Sequence, residues 1–238
     1  MGIVLDGVDY AVMGRPILQG ISLALDEPRI GIVGRNGSGK TTLLRLIAGL
    51  VAPTTGRVAV DGIDPARDRK GVLRRLGILF QNPDHQILFP TVAEELAFGL
   101  RQMGQEARAA EAAVMRLLEA EGRAHWAGSA TSTLSQGQKQ YLCLQAVLMM
   151  EPGTILLDEP FAALDLPTRA RMARRLSSLA QRLVTISHDP EAVVGCDRVI
   201  WIEAGRVFAD GTANEVLPAF QDAMQRLGAG DADIDIAG

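Results

Sequence analysis

The chain has 238 residues, 47% of them hydrophobic, and a formal net charge of −4 at pH 7. That length and apolar content supply core for one large domain with a smaller one inserted, while the acidic balance gives no general attraction to nucleic acid. No apolar run approaches the roughly 18 to 20 residues that cross a bilayer, and the amino terminus lacks the charged start of a signal peptide. Cys143 and Cys196 have no metal-ligand spacing, so the expected setting is cytosolic with both thiols reduced.

In chain order, strand-like segments at 3–9, 20–25 and 57–60 predict an antiparallel piece beside a parallel core. A short apolar strand, Arg29 to Val33, leads into GRNGSGKTT, Gly34 to Thr42, which matches the phosphate-loop pattern G-x-x-x-x-G-K-[ST]. Leu43, Leu44 and Ile47 follow at helical spacing. Glycines at 34, 37 and 39 permit positive φ and close approach, so successive backbone N–H groups can turn toward phosphate oxygens at a positive helix end. Lys40 adds a point charge for the β and γ phosphates and Thr41 a hydroxyl for Mg²⁺. The nucleotide-binding candidates in this loop are Gly34, Asn36, Gly37, Ser38, Gly39, Lys40, Thr41 and Thr42.

The segment QNPDHQILFPTVAEELAFGL runs from Gln81 to Leu100. Thr91 and Glu94 form a capping-box pattern, so a helix is expected there, presenting Val92, Leu96 and Phe98. Ile87, Leu88 and Phe89 make an apolar patch beside Gln81 that suits docking of a partner's amphipathic helix; the alternative is that all these residues are core. Residues 107–120 carry Val114, Leu117 and Leu118 on one helical face, with Arg108, Glu111 and Glu119 elsewhere. In LSQGQ, Ser135 suits an N-cap, and the apolar stretch from Tyr141 to Met150 predicts a buried helix ended by Pro152 and Gly153. A serine hydroxyl, the Gly137 N–H and a helix N-terminus form a second anion site, with Gln138 beside them.

Thr154 to Leu157 reads as a buried strand ending in Asp158 and Glu159 and stopped by Pro160. Carboxylates at the carboxyl edge of an open α/β sheet lie where ligands bind, so Asp158 suits a Mg²⁺ shell and Glu159 the orientation or deprotonation of a water. Arg171, Arg174 and Arg175 form a basic face, expected to be solvated, on a helix begun by Asp165 and Pro167. His188 follows a strand at 183–187, and Ile200 to Ala209, broken by Ala204 and Gly205, predicts a hairpin.

Taken together, Gly34 to Thr41, Gln81, Leu134 to Gln138, Ile155 to Glu159, the trio Ala163, Leu164 and Asp165, and His188 resemble a known set. They match the Walker A loop, Q-loop glutamine, signature, Walker B strand, D-loop and switch histidine of the nucleotide-binding subunits of ATP-binding-cassette transporters, over residues 1 to about 220. The resemblance implies an α/β fold with a phosphate-loop (RecA-like) core, an antiparallel β subdomain and an inserted helical subdomain. The implied boundaries are an ATPase domain over 1–222, with core at 1–82 and 151–222 and the insertion at about 83–150, and a disordered acidic tail over 223–238. ATP and Mg²⁺ are the implied cofactors, with Thr41, Gln81 and Asp158 toward the metal and Glu159, His188 and Gln81 serving hydrolysis. The implied assembly is a head-to-tail pair, of identical chains or with a paralogue, in which Ser135 and Gly137 of one copy close over ATP held by Lys40 of the other.

Two positions depart from the family's pattern. Gln136 stands where glycine is usual and is expected to point away from phosphate. Val12 falls near the place of the aromatic that stacks on adenine; Tyr10, two residues earlier and so on the same strand face, is the substitute, or else a tyrosine packed at a sheet edge. Residues 81–100 are similar to the ATPases of energy-coupling-factor importers, which take up vitamins or transition-metal ions. Within that family LSQGQKQYLCLQAVLMMEP is most like the biotin-importing branch, with the cobalt and nickel type next. This implies a peripheral position on the cytoplasmic face of the cell membrane. The implied partners are a transmembrane coupling protein docked near 81–99 and a substrate-binding membrane subunit, with no nucleic acid.

Overall fold

The computed structural model describes residues 2–228. It divides into two compact units: residues up to Ala66 together with those from Val184 onward, and Arg67–Leu183.

In the first unit, β1 (Ile3–Val12), β2 (Arg15–Leu25) and β4 (Thr55–Val60) form the expected antiparallel sheet, in the order β2-β1-β4. Alternation buries Ile3, Leu5, Ile21, Leu23 and Leu25 on one face. The first hairpin turns on Met13 (φ 49°) and Gly14 (φ 78°), the two positive φ values of a tight primed turn; Met13 is an unusual residue for that geometry, which is why the strands outrun the expected 3–9 and 20–25. The parallel element begins with β3 (Arg29–Val33), followed after the glycine-rich loop by α1 (Lys40–Ile47). β3 pairs in parallel with β8 (Arg198–Glu203), and β8 pairs antiparallel with β9 (Arg206–Gly211). The turn between them is Ala204 (φ 47°) and Gly205 (φ 76°), the expected hairpin.

Another helix of this unit, Ala213–Gly228, packs Val216, Leu217 and Phe220 against Val33, Val199 and Trp201. The expected tail boundary at 223 is corrected here. Ala223 and Met224 continue the apolar stripe at helical spacing and pack on the same core, so residues 223–228 are helical; the remainder of the expected tail lies outside the described residues.

The second unit holds β5 (Leu76–Leu79) and β6 (Thr154–Asp158), paired in parallel with Leu76 opposite Thr154 and Leu79 opposite Leu157. Its α-helices are α2 (Arg69–Leu73), α3 (Val92–Gln102), α4 (Ala107–Ala120), α5 (Gln136–Leu148) and α6 (Leu166–Ser177). Two cores explain why β5 and β6 fall in one unit with the helices. Cys143, Leu144 and Val147 of α5 pack on Leu79, Ile155 and Leu157 and on Met172 and Leu176 of α6. The other side of α5 gives Leu142 to a cluster with Val92, Leu96 and Leu100 of α3 and Ala110, Val114 and Leu118 of α4. Helix α5 therefore buries more than one face, as its near-continuous apolar stretch predicted. The strand β7 (Arg182–Ser187) carries the chain from this unit back to the first.

Candidate functional site

The loop after β3 is shaped by backbone geometry that only glycine adopts readily. Gly34, Gly37 and Gly39 have φ of 156°, 79° and 107°. A Cβ at Gly34 would lie 2.2 Å from the Ile202 carbonyl oxygen, and one at Gly39 2.7 Å from Leu18 Cδ2. No side chain caps α1, whose N-cap is Gly39 in the left-handed region, so the first turn presents its amides to an incoming anion. Lys40 is 6% exposed and folds back over the loop, donating from Nζ to the carbonyl oxygens of Gly34 (2.7 Å) and Arg35 (2.8 Å). Ser38 Oγ is buried with no hydrogen-bond partner. An orphaned hydroxyl, a cation and an uncapped helix start converge on one loop, and this donor set fits a nucleotide polyphosphate. Asn36, Gly37 and Thr41 are exposed on the loop surface, and Thr42 is half-buried.

His188 follows the strand Arg182–Ser187 directly and is exposed, with the Asp189 amide turning back to donate to Ser187 Oγ at 3.0 Å. Tyr10 is half-buried and pairs with Leu18. The register of β1 against β2 shifts on both sides of Tyr10, between Val8 and Tyr10 and again between Tyr10 and Ala11. Simple alternation therefore does not carry from Val12, 45% exposed at the hairpin end, to Tyr10.

In the second unit, parallel pairing of β5 and β6 brings Gln81 and the two acids to one carboxyl edge: Gln81 leaves two residues beyond Leu79, and Asp158 lies one beyond Leu157. Asp158 is buried. Glu159 adopts φ 48° and Ala163 φ 58°, left-handed conformations that cost a non-glycine residue about 1 kcal/mol or more. The turn between them is closed by the Ala162 amide donating to the Glu159 carbonyl at 3.0 Å. Gln81 itself is exposed, but the residue before it is fixed. The Phe80 amide donates to Gln86 Oε1 (3.0 Å), and its carbonyl accepts from Gln140 Nε2 of α5 (3.3 Å).

The start of α5 forms a complete capping box. Ser135 Oγ accepts from the Gln138 amide at 3.3 Å, and Gln138 Oε1 accepts from the Ser135 amide at 2.8 Å. Gly137 is required by packing as well as by chemistry, since a Cβ there would stand 2.6 Å from Thr168 Cγ2. Ser135, Gly137 and Gln138 face a cavity of about 420 Å³ with Trp126, Tyr141 and Arg175 on its other walls. Arg175 of the basic face reaches Glu121 at 3.4 Å. Gln136 turns to Asp84, its Nε2 donating to Oδ2 at 3.2 Å.

The family model described as ABC transporter matches residues 18–162. The biotin transport ATP-binding protein BioM of Rhodobacter capsulatus is 54% identical over 214 residues, 90% of this chain and 92% of that protein. The chain belongs to the ABC transporter family. As a member of it, the protein is an ATPase. Among solved structures, the cbiO1 protein of Clostridium perfringens, part of the transporter complex cbiONQ, superposes with a TM-score of 0.78 at 29% identity, covering 98% of this chain and 96% of that one. The ATP-binding cassette MJ0796, in a dimeric post-hydrolysis state bound to ADP and Pi, gives 0.75 at 26% identity over 89% and 98%. The mixed α/β fold of the ABC ATPases, with its antiparallel sheet, parallel strands and helices, is therefore the fold of this chain.

Within this ABC ATPase the helix expected at Thr91 is present as α3, and of the two readings of the segment after Gln81 the core one holds for Val92 and Leu96. Val92 and Leu96 are buried in the α3–α4–α5 core, because the apolar stripe of α3 is consumed by its helical neighbours. What reaches the surface is Leu88, 67% exposed, beside the half-buried Phe89, whose ring lies 5.0 Å from that of Phe98. The buried Glu95 carboxylate, missed from sequence, accepts the amides of Leu88 (2.8 Å) and Phe89 (2.9 Å) and fixes that corner. Asp84, Gln86, Gln140 and Thr168 were missed too. Only Asp84 had a local signal, the Asn-Pro-Asp string in which Asn82 caps a one-turn helix at Pro83–His85. Among the described residues no helix is long and apolar enough to cross a membrane.

Proposed function

We propose that this chain is the ATP-hydrolysing subunit of an energy-coupling-factor importer and powers uptake of biotin through separate membrane subunits. The observation that carries the biotin assignment is the 54% identity, over nine-tenths of both chains, to a protein named for biotin transport. In this reading the loop 34–42 holds ATP, with Lys40 on the β and γ phosphates and Ser38 contributing its unpartnered hydroxyl. Thr41, Gln81 and Asp158 would hold Mg²⁺, which would neutralise phosphate charge. Glu159 orients and deprotonates the attacking water, and His188 contacts the γ-phosphate. Ser135, Gly137 and Gln138 close from a second copy of the chain over the nucleotide, and loss of the γ-phosphate link reopens the pair. The exposed Leu88 and its neighbour Phe89 receive the coupling protein at the cytoplasmic face of the membrane. The second reading, a cobalt or nickel importer, is supported by the 34% and 38% identity to proteins named for cobalt import in Syntrophus aciditrophicus and nickel import in Rhodobacter capsulatus.

Detergent co-purification with the membrane proteins of its own organism tests this. A coupling protein and a small membrane protein carrying biotin are expected; bound cobalt or nickel selects the second reading, and a fused twelve-helix permease or a periplasmic receptor rejects both. Leu88→Glu is expected to release the membrane partner from a folded, ATP-binding subunit, and a complex that survives the change overturns the docking assignment.

A further inference from the structure

The capping box of α5 occupies the side chains of Ser135 and Gln138 with each other's amides and leaves the Gly137 amide open. The side chain of Gln136, first residue of that helix, is thereby released for a tertiary contact. It finds one 52 residues away in sequence: Gln136 Nε2 donates to Asp84 Oδ2 at 3.2 Å, and Lys139 Nζ donates to Asp84 Oδ1 at 2.6 Å. Positions 136 and 139 lie on one helical face, so the carboxylate is gripped by both oxygens from a single surface. The Lys139 interaction, ahead of the opposing effect of desolvation, holds the Asp84 carboxyl below its usual range, so it stays ionised at neutral pH.

A lone surface ion pair contributes little because two flexible side chains must be ordered to make it. Here both ends are ordered beforehand. Asp84 sits in a one-turn helix whose cap, Asn82 Oδ1, accepts the Asp84 amide at 3.0 Å. Gln86 holds the same segment by accepting from the Phe80 amide and donating to the Ile78 carbonyl, and Gln140 of α5 donates to the Phe80 carbonyl. The Lys139 side chain is only 16% exposed. Immediately downstream, Ile87 packs against both cores of the unit and Leu88 stands exposed.

We propose that Gln136 is a positioning residue which, with Lys139, grips Asp84 and ties the ATP-closing start of α5 to the turn that follows Gln81, so that displacement of that turn by a partner moves Ser135 and Gly137. The inference rests on the sandwich reading above. It also accounts for a glutamine where the family usually has glycine: the side chain adds a strut to the Gln81 turn and leaves Gly137 as the residue facing phosphate.

The test uses the full chain carrying Glu159→Gln, with Mg²⁺ and ATP, and measures by light scattering the ATP concentration that gives half-maximal dimer. Gln136→Ala is expected to raise this about threefold and Asp84→Ala about tenfold, in line with hydrogen bonds to a charged group at a partly exposed site. The double variant is expected to be no worse than Asp84→Ala alone. Asp84→Asn keeps an acceptor for Gln136, loses the ion pair and falls between. The Tm of the nucleotide-free chain should move by no more than about 2 °C, the range of ordinary surface substitutions. If the Glu159→Gln parent dimerises with ATP and the variants match it, or if the two substitutions add independently, the tether is overturned and the sandwich stands. If the parent forms no ATP-dependent dimer, both fall.

Discussion

The loop at 34–42 and the start of α5 are two helix N-termini, each assigned to phosphate, and they are built in opposite ways. The first is made of backbone: positive-φ glycines, no side-chain cap, and a lysine folded onto the loop's own carbonyls. The second is an ordinary capped helix whose orientation depends on side chains from distant segments, Asp84 on one flank and Thr168 on another. A site formed from fixed backbone dipoles is ready for its ligand before it arrives. A site placed by side-chain ties can be moved by whatever moves those ties, which suits the half proposed to open and close.

The comparison is broken most severely at the chemistry both halves serve. Glu159→Gln is expected to slow ATP turnover by about 10² to 10⁴ while nucleotide binding persists; steady-state hydrolysis beside a binding assay checks it, and fast turnover removes the assigned base. Lys40→Ala takes the cation from the backbone-built half and should weaken nucleotide affinity about 10- to 100-fold. Isothermal titration reads this, and an unchanged affinity would count against the loop as the ATP site. Gly137→Ala probes the side-chain-placed half. Overpacking against Thr168 should cost about 1–3 kcal/mol, visible as a Tm several degrees lower, and Thr168→Ser in the same chain should restore most of it by removing the methyl group.

The smallest effect concerns the two thiols, of buried Cys143 and half-buried Cys196, neither of which is placed in the phosphate chemistry of either half. Burial, the largest cause in each case, pushes Cys143 and Cys196 up to about 12 from an ordinary value of 9.0. The folded state then holds thiol protons that the unfolded chain releases, so this contribution to stability is complete below about pH 9 and is lost as pH rises toward 12. At pH 8 Cys143 of the native chain should react with a thiol reagent far more slowly than in the unfolded chain, with ATP turnover unchanged; rapid native labelling at Cys143 would refute its burial.

Much of the fold was legible because its signals are local. Four residues of spacing between Gly34 and Gly39, an apolar strand closed by Asp158 and Glu159, the Ala204–Gly205 turn and the stripe through Val114 and Leu118 each lie within one or two turns of chain. Such patterns reflect backbone geometry and side-chain periodicity, which operate over a few residues whatever surrounds them. The primed turn at Met13 escaped because its first residue is atypical for positive φ, and the bulges around Tyr10 escaped because register is a property of two strands.

Sequence by itself therefore determined the phosphate loop, the acidic strand end and the α/β class, since each is encoded by residue type at fixed spacing. Only the tertiary structure decided which apolar residues of 87–98 reach the surface, that Glu95 would bind two backbone amides from inside the core, that Thr168 would demand a glycine at 137, and where Gln136 would point. Those outcomes depend on which segments meet after dozens of intervening residues, and that is set by how the whole apolar surface of α3, α4 and α5 is buried.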